Sequence, residues 1–225
     1  MKHVVFCLIG LVVFTVWAGS TSPTRQMARS DSTLTLREEP TVPSAADKAR
    51  DLIASGRSDE GERFLRKHVK EHPDDDLARV CLIAWLRKTH RLKEAIRQAG
   101  TLIRRNRYMD AVYHIRGTLY LEDGQSGKAF MDLATAIDLN DDNTESRLLM
   151  GRIYRNGGLS GMAMMILTNA IVRSPDDPAE FYMERARAFA AMGDTATACQ
   201  DYQDAIRLGF EPSEEDIKVC PNCDE

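Results

Sequence analysis

The chain of 225 residues has no excess of positive charge: 30 Lys and Arg stand against 34 Asp and Glu, for a formal net charge of −4. A mildly acidic chain has no general field to hold a phosphate backbone, so nucleic acid is not expected as a main partner. Glycine (14) and proline (8) are too few for a collagen, and 43% hydrophobic residues are too many for a wholly disordered chain. No succession of long apolar runs marks a polytopic membrane protein. Catalytic signatures are missing too. His68, His72, His90 and His114 show no HExxH-like spacing, and no Gly-Lys phosphate loop occurs. Gly158-Leu159-Ser160-Gly161 lacks the second spacer of a nucleophile elbow, and Ser160 reads instead as a helix N-cap. The acidic stretch from Asp138 to Asn143 lacks the Gly and Glu that a calcium loop needs at its sixth and twelfth positions. An inter-helix turn explains it better.

What is present begins with a short positive start, Met1-Lys2-His3, and an apolar run of 15 residues at 4–18. That is the plan of a secretory signal, shorter than the roughly 20 residues of a spanning helix. Val16-Trp17-Ala18 allows cleavage after residue 18, and an uncleaved N-terminal anchor is the alternative. Either way, the positive charge ahead of the run sends the rest of the chain across a membrane, to a periplasmic or secreted setting or to one anchored outside the cytoplasm. Residues 19–43, with three prolines and many Ser and Thr, read as a flexible leash.

From residue 44 the chain aligns with itself at a shift of 34. Gly56, His90, Gly124, Gly158 and Gly193 recur at intervals of 34, 34, 34 and 35, where a left-handed residue can end a helix. Small residues recur as Gly61, Ala95, Ala129, Ala163 and Ala198, and again as Ala49, Ile83, Gly117, Gly151 and Ala186. Large ones follow as Leu52, Leu86, Tyr120, Tyr154 and Phe189. Small sites let helix backbones approach and large ones fill the gaps, so each unit predicts two antiparallel helices that bury their apolar faces only by stacking on neighbours.

This pattern resembles the tetratricopeptide repeat family over about residues 42–210. The fourth unit carries it in Gly151, Tyr154, Gly158, Ala163, Leu167, Ala170 and Pro175, the fifth in Tyr182, Ala186, Phe189, Gly193, Asp194, Ala198, Tyr202, Ala205 and Leu208. The expected fold is an all-α solenoid of about five helix pairs, at 42–75, 76–109, 110–143, 144–177 and 179–210, with a capping tail at 211–225. His90 and Arg107 replace the family's Gly and Pro in the second unit, and His68 takes a small site in the first.

The resemblance implies a non-enzymatic scaffold that holds a protein or peptide against the first helices of its pairs. Positions that line the family's groove fall here on Arg50, Arg87, Lys88, His114, Arg152, Arg155, Asn156, Met183 and Arg187. Such a groove is basic in an acidic chain and suits an acidic or carboxylate-ended segment. The competing reading is a set of solvated helix faces. The Lys and Asn of the family's carboxylate clamp are replaced by Ala46 and Arg50. Trp85, the tyrosines at 113, 120, 154 and 182, and Met162, Met164 and Met165 read mainly as core.

Cys220-Pro-Asn-Cys223 has no following His for haem and no second CxxC to complete a zinc site. Without the signal, Cys81, Cys199, Cys220 and Cys223 remain, an even number with three possible pairings. The tail is similar to the closing segment of some exported proteins of the family, where a terminal helix folds back over the last repeat. That likeness favours Cys199 bonded to Cys220 or Cys223. A thiol-exchanging or zinc-binding CxxC, positioned by the repeats, is the alternative function. Ser213 is placed to cap a short helix.

Overall fold

The computed structural model describes residues 5–6, 13–14, 44–174, 176 and 178–220. Most of the signal segment, the leash at 19–43, Pro175 and Cys223 lie outside the described residues. Within the signal segment, β1 (Val5–Phe6) pairs antiparallel with β2 (Val13–Phe14), Val5 opposite Phe14, a pairing the all-α expectation did not contain. From Ser44 onward every regular element among the described residues is a helix: α1 (Ala45–Ala54), α2 (Ser58–Glu71), α3 (Asp76–Lys88), α4 (Leu92–Arg105), α5 (Asp110–Glu122), α6 (Ser126–Leu139), α7 (Thr144–Asn156), α8 (Ser160–Arg173), α9 (Ala179–Ala191), α10 (Thr195–Arg207) and α11 (Glu214–Val219).

Local chemistry sets these boundaries. The side chains of Asp75, Asn143 and Asp194 accept hydrogen bonds from the backbone N–H of Ala78, Ser146 and Thr197, which the first turn of a helix cannot satisfy itself. Ser44 and Ser213 form capping boxes with Asp47 and Asp216. Helix ends inside the pairs turn on a left-handed residue, and His90 adopts φ 56° where the other four sites hold glycine. Ser160 does not cap α8. Leu159 occupies the cap position and Ser160 is the first helical residue.

The chain divides into two compact units, one ending at His90 and the other starting at Arg91. In the first, α1 and α2 pack as an antiparallel pair and α3 lies against both. In the second, each helix from α4 to α10 packs on its successor, and the first helices of consecutive pairs, α5 with α7 and α7 with α9, also meet.

Within pairs, the recurrent small residues are contact points. In the pairs that lie wholly in the second unit, Ala129, Ala163 and Ala198 are wholly buried. A Cβ on Gly117 would sit 2.9 Å from Leu133 Cγ, so only a bare Cα fits there. A second recurrent contact joins residues sixteen apart: Arg116 donates from Nε and Nη2 to the two carboxylate oxygens of Asp132 at 2.6 and 2.7 Å, and Arg185 does the same to Asp201 at 2.7 and 2.8 Å. The equivalent positions of the pair between them hold Met150 and Ile166, both apolar. In the first pair, Lys48 Nζ stands 4.9 Å over the Phe64 ring at the same two positions.

Candidate functional site

Helices α7 and α9 bring three of the sequence-derived groove residues together. Arg152 and Arg155 project from α7, and Arg187 from the last turns of α9. All three converge on Glu184, whose side chain is only 3% exposed. Arg152 Nε donates to Glu184 Oε1 at 2.9 Å, Arg187 Nη1 to the same oxygen at 2.8 Å, and Arg155 Nη2 to Oε2 at 3.3 Å. A second arm of Arg152 reaches Glu180 on the outer edge. Arg187 also grips Asp216 of α11 with two bonds, 2.9 and 2.7 Å long.

The electrostatics follow from this sharing. Hydrogen bonding to Asp216 raises the Arg187 pKa further, more than its partial burial lowers it. Burial works against the charge of Arg152, but Glu184 and Glu180 outweigh it and the guanidinium stays charged. Three cations thus face three carboxylates. The expected basic groove is internally neutralised at this end, with a buried acid at its centre.

The acids were not singled out from the sequence. Their signal is a spacing slightly shorter than the repeat: the acid lies 32 residues beyond Arg152, and 29 beyond Arg155 and Arg187. A cation on one helix therefore meets an acid about one to two helical turns earlier than its own repeat position on the next.

The remaining groove candidates are placed as follows. His114 Nδ1 of α5 lies 2.9 Å from Ser146 Oγ of α7, another contact between successive first helices. Asn156 ends α7 and is exposed. Met183 is not on the groove surface: it is wholly buried with Tyr202, Ala186 and Ala198 between α9 and α10, because its position on α9 faces the partner helix of the same pair. In the first unit, Arg50 pairs with Asp47 at 3.0 Å, Arg87 is half-buried, and Lys88 Nζ lies 5.8 Å from the Trp85 ring. Trp85 is core, its Nε1 donating to Glu62 at 2.9 Å.

Met162 and Met165 depart from the core expectation. They are 47% and 63% exposed, since the face of α8 that carries them is covered by neither α7 nor α9. With Leu159, Met164, Ala191 and Met192 they line an open surface hollow of about 580 Å³ beside the turn between α7 and α8.

At the C-terminal end, Cys199 of α10 and Cys220, just after α11, meet with their Cα atoms 5.4 Å apart, a separation suited to a disulfide. Cys220 is buried in the cluster of Met183, Tyr202 and Ala205. Cys81 is buried on α3. Cys223 lies outside the described residues.

No protein-family model and no curated protein matches the sequence. Solved structures do match in three dimensions. PilF of Pseudomonas aeruginosa superposes with a TM-score of 0.68 at 14% identity, covering 80% of this chain and 81% of that one. TTC0263, a thermophilic TPR protein of Thermus thermophilus, gives 0.57 at 22% identity, covering 78% and 94%. YrrB, a TPR protein with an unusual peptide-binding site, gives 0.61 at 17%, covering 79% and 90%. With its helix pairs, glycine turns and stacked first helices, the chain has the tetratricopeptide-repeat fold.

Proposed function

We propose that this chain is an exported, non-enzymatic scaffold that binds a protein segment bearing a carboxylate against the first helices α7 and α9. The observation that carries this reading is the divided grip of Arg152. Its Nε is committed to Glu184, 3% exposed, and its Nη2 meets Glu180, 49% exposed. A pair as exposed as Arg152 with Glu180 contributes roughly 0–1 kcal/mol. An incoming carboxylate can replace Glu180 at little cost while Glu184 keeps the arginine aimed. The solved fold relative YrrB has a peptide-binding site, which accords with a peptide ligand here.

Export rests on the sequence: the positive start, the apolar run at 4–18 and the small residue at Ala18. The approach of Cys199 to Cys220 supports a structural disulfide in an oxidising compartment. Burial of Cys220 against Tyr202 favours that role over zinc binding or a CxxC that exchanges disulfides in other proteins.

The test is selection of a displayed peptide library on the immobilised full chain. Acidic sequences should be enriched, and Arg152→Gln should abolish the enrichment while Glu180→Gln strengthens it. Enrichment unaffected by either change would remove Arg152 from the site.

A further inference from the structure

In the repeat register α11 begins where the first helix of another pair would begin: α5, α7, α9 and α11 start at Asp110, Thr144, Ala179 and Glu214. Arg152 follows Gly151 on α7 and holds Glu184 of the next first helix by one bond, 32 residues on; Arg187 follows Ala186, the repeat equivalent of Gly151, and holds Asp216 of α11 by two bonds, 29 residues on. Yet α11 has 6 residues where α7 and α9 have 13, and no helix pairs with it among the described residues. Its inner side is narrow: Asp216 is buried, Val219 packs against the cluster that holds Tyr202, and Cys220 reaches the core. Its outer side, with Glu214, Glu215, Ile217 and Lys218, faces solvent.

A helix of 6 residues does not hold itself together in water. Its place depends on the capping box of Ser213, the two Arg187 bonds and the Cys199 to Cys220 link. The link is the decisive one, because it makes departure of α11 a covalent event rather than a fluctuation.

We propose that the surface of α9 and α10 beneath α11 is a docking site for a short, capped, acidic helix of a partner protein, occupied in this chain by α11 and opened by a dithiol reductant. The partner chemistry is read from the occupant: a Ser or Thr cap, an acid three residues later to meet Arg187, and an apolar residue after one further turn. A partner helix as long as the chain's own first helices would bury more of α9 and α10 than α11 does, which lets it compete with a tethered segment whose effective concentration is of millimolar order. In the opening step the S–S bond of Cys199 and Cys220 breaks. The two thiols of the reductant give up two electrons and two protons to become its own disulfide, and Cys199 and Cys220 each leave as a thiol.

The inference rests on the disulfide of Cys199 with Cys220 and not on Arg152. It is tested on the full chain with a fluorescein-labelled peptide of residues 211–219, read by anisotropy. Binding to the reduced chain and to the double variant C199S/C220S should be about tenfold or more tighter than to the oxidised chain. Adding Arg187→Asp to that double variant should abolish binding of the native peptide and restore it for a peptide carrying Asp216→Arg, a rescue that a merely destabilised chain would not give. Equal binding to oxidised and opened chains, or no rescue by the swapped charges, overturns the docking site. Alkylation of both Cys199 and Cys220 in the unreduced chain, seen by mass spectrometry, overturns the lock and leaves the library selection on Arg152 unaffected.

Discussion

Gly151 of α7 lies beneath Leu167 of α8, and a Cβ on Gly151 would come within 2.8 Å of Leu167 Cγ. Alanine is the better helix former by about 1 kcal/mol. Even so, Gly151→Ala should destabilise the chain by about 1–3 kcal/mol, because the buried Leu167 cannot yield without disturbing its neighbours. Urea unfolding of the full chain measures it. Combined with Leu167→Ala, the same change should cost less than the sum of the two, since the crowding is then removed.

The bidentate pair of Arg185 with Asp201 joins α9 to α10, and Asp201 is 5% exposed. Asp201→Ala leaves Arg185 without its counter-charge and should cost about 3 kcal/mol. Replacing both residues by the apolar pair found at the equivalent positions, as R185M/D201I, should return the chain to within about 1 kcal/mol of the native value. Thermal unfolding of the three variants separates a need for charge from a need for volume.

Asp216 gives the C-terminal end a dependence on pH. Burial alone would raise its pKa, but hydrogen bonds from Arg187 and Ser213 hold the carboxyl well below the usual range. A carboxyl of depressed folded pKa contributes its stability fully above the unfolded value of about 3.9 and loses it as the pH falls through the folded value. Amide exchange in α11 should therefore be slow and constant from neutral pH down to about 5, after correction for the intrinsic rate. Protection should fall below about pH 4. Asp216→Asn should remove that acid step and weaken protection at neutral pH.

His90 holds φ 56° at the turn between α3 and α4, where the other pairs have glycine. A left-handed residue with a Cβ costs roughly 1–2 kcal/mol, part of which is offset by the smaller entropy of the unfolded chain. His90→Gly should stabilise the chain by about 1 kcal/mol or less, as a small rise in Tm.

These residues also mark how far the fold and the site are legible in the sequence. A turn or a close approach depends on one residue type at one spacing, so the glycines at 56, 124, 158 and 193 and the small residues at 117 and 151 announce themselves. Even His90 keeps the glycine conformation, since the geometry belongs to the repeat. The Ser213 capping box is equally local. The partner of Arg152 is not local: Glu184 lies on the next first helix, and which acid it meets depends on how two helices are stacked. The exposure of Met165 and the burial of Met183 depend likewise on which helix face a neighbour covers, and hydrophobicity alone treats the two methionines alike.

Replacement of Glu180 on Arg152 by a partner carboxylate is tested most directly by calorimetric titration. The full chain, its Arg152→Gln variant and its Glu180→Gln variant are each titrated with one acidic peptide taken from the library selection. Affinity should be about tenfold weaker for Arg152→Gln and stronger than native for Glu180→Gln, with helical circular dichroism unchanged in both. Three equal affinities would contradict the exchange of carboxylates on Arg152.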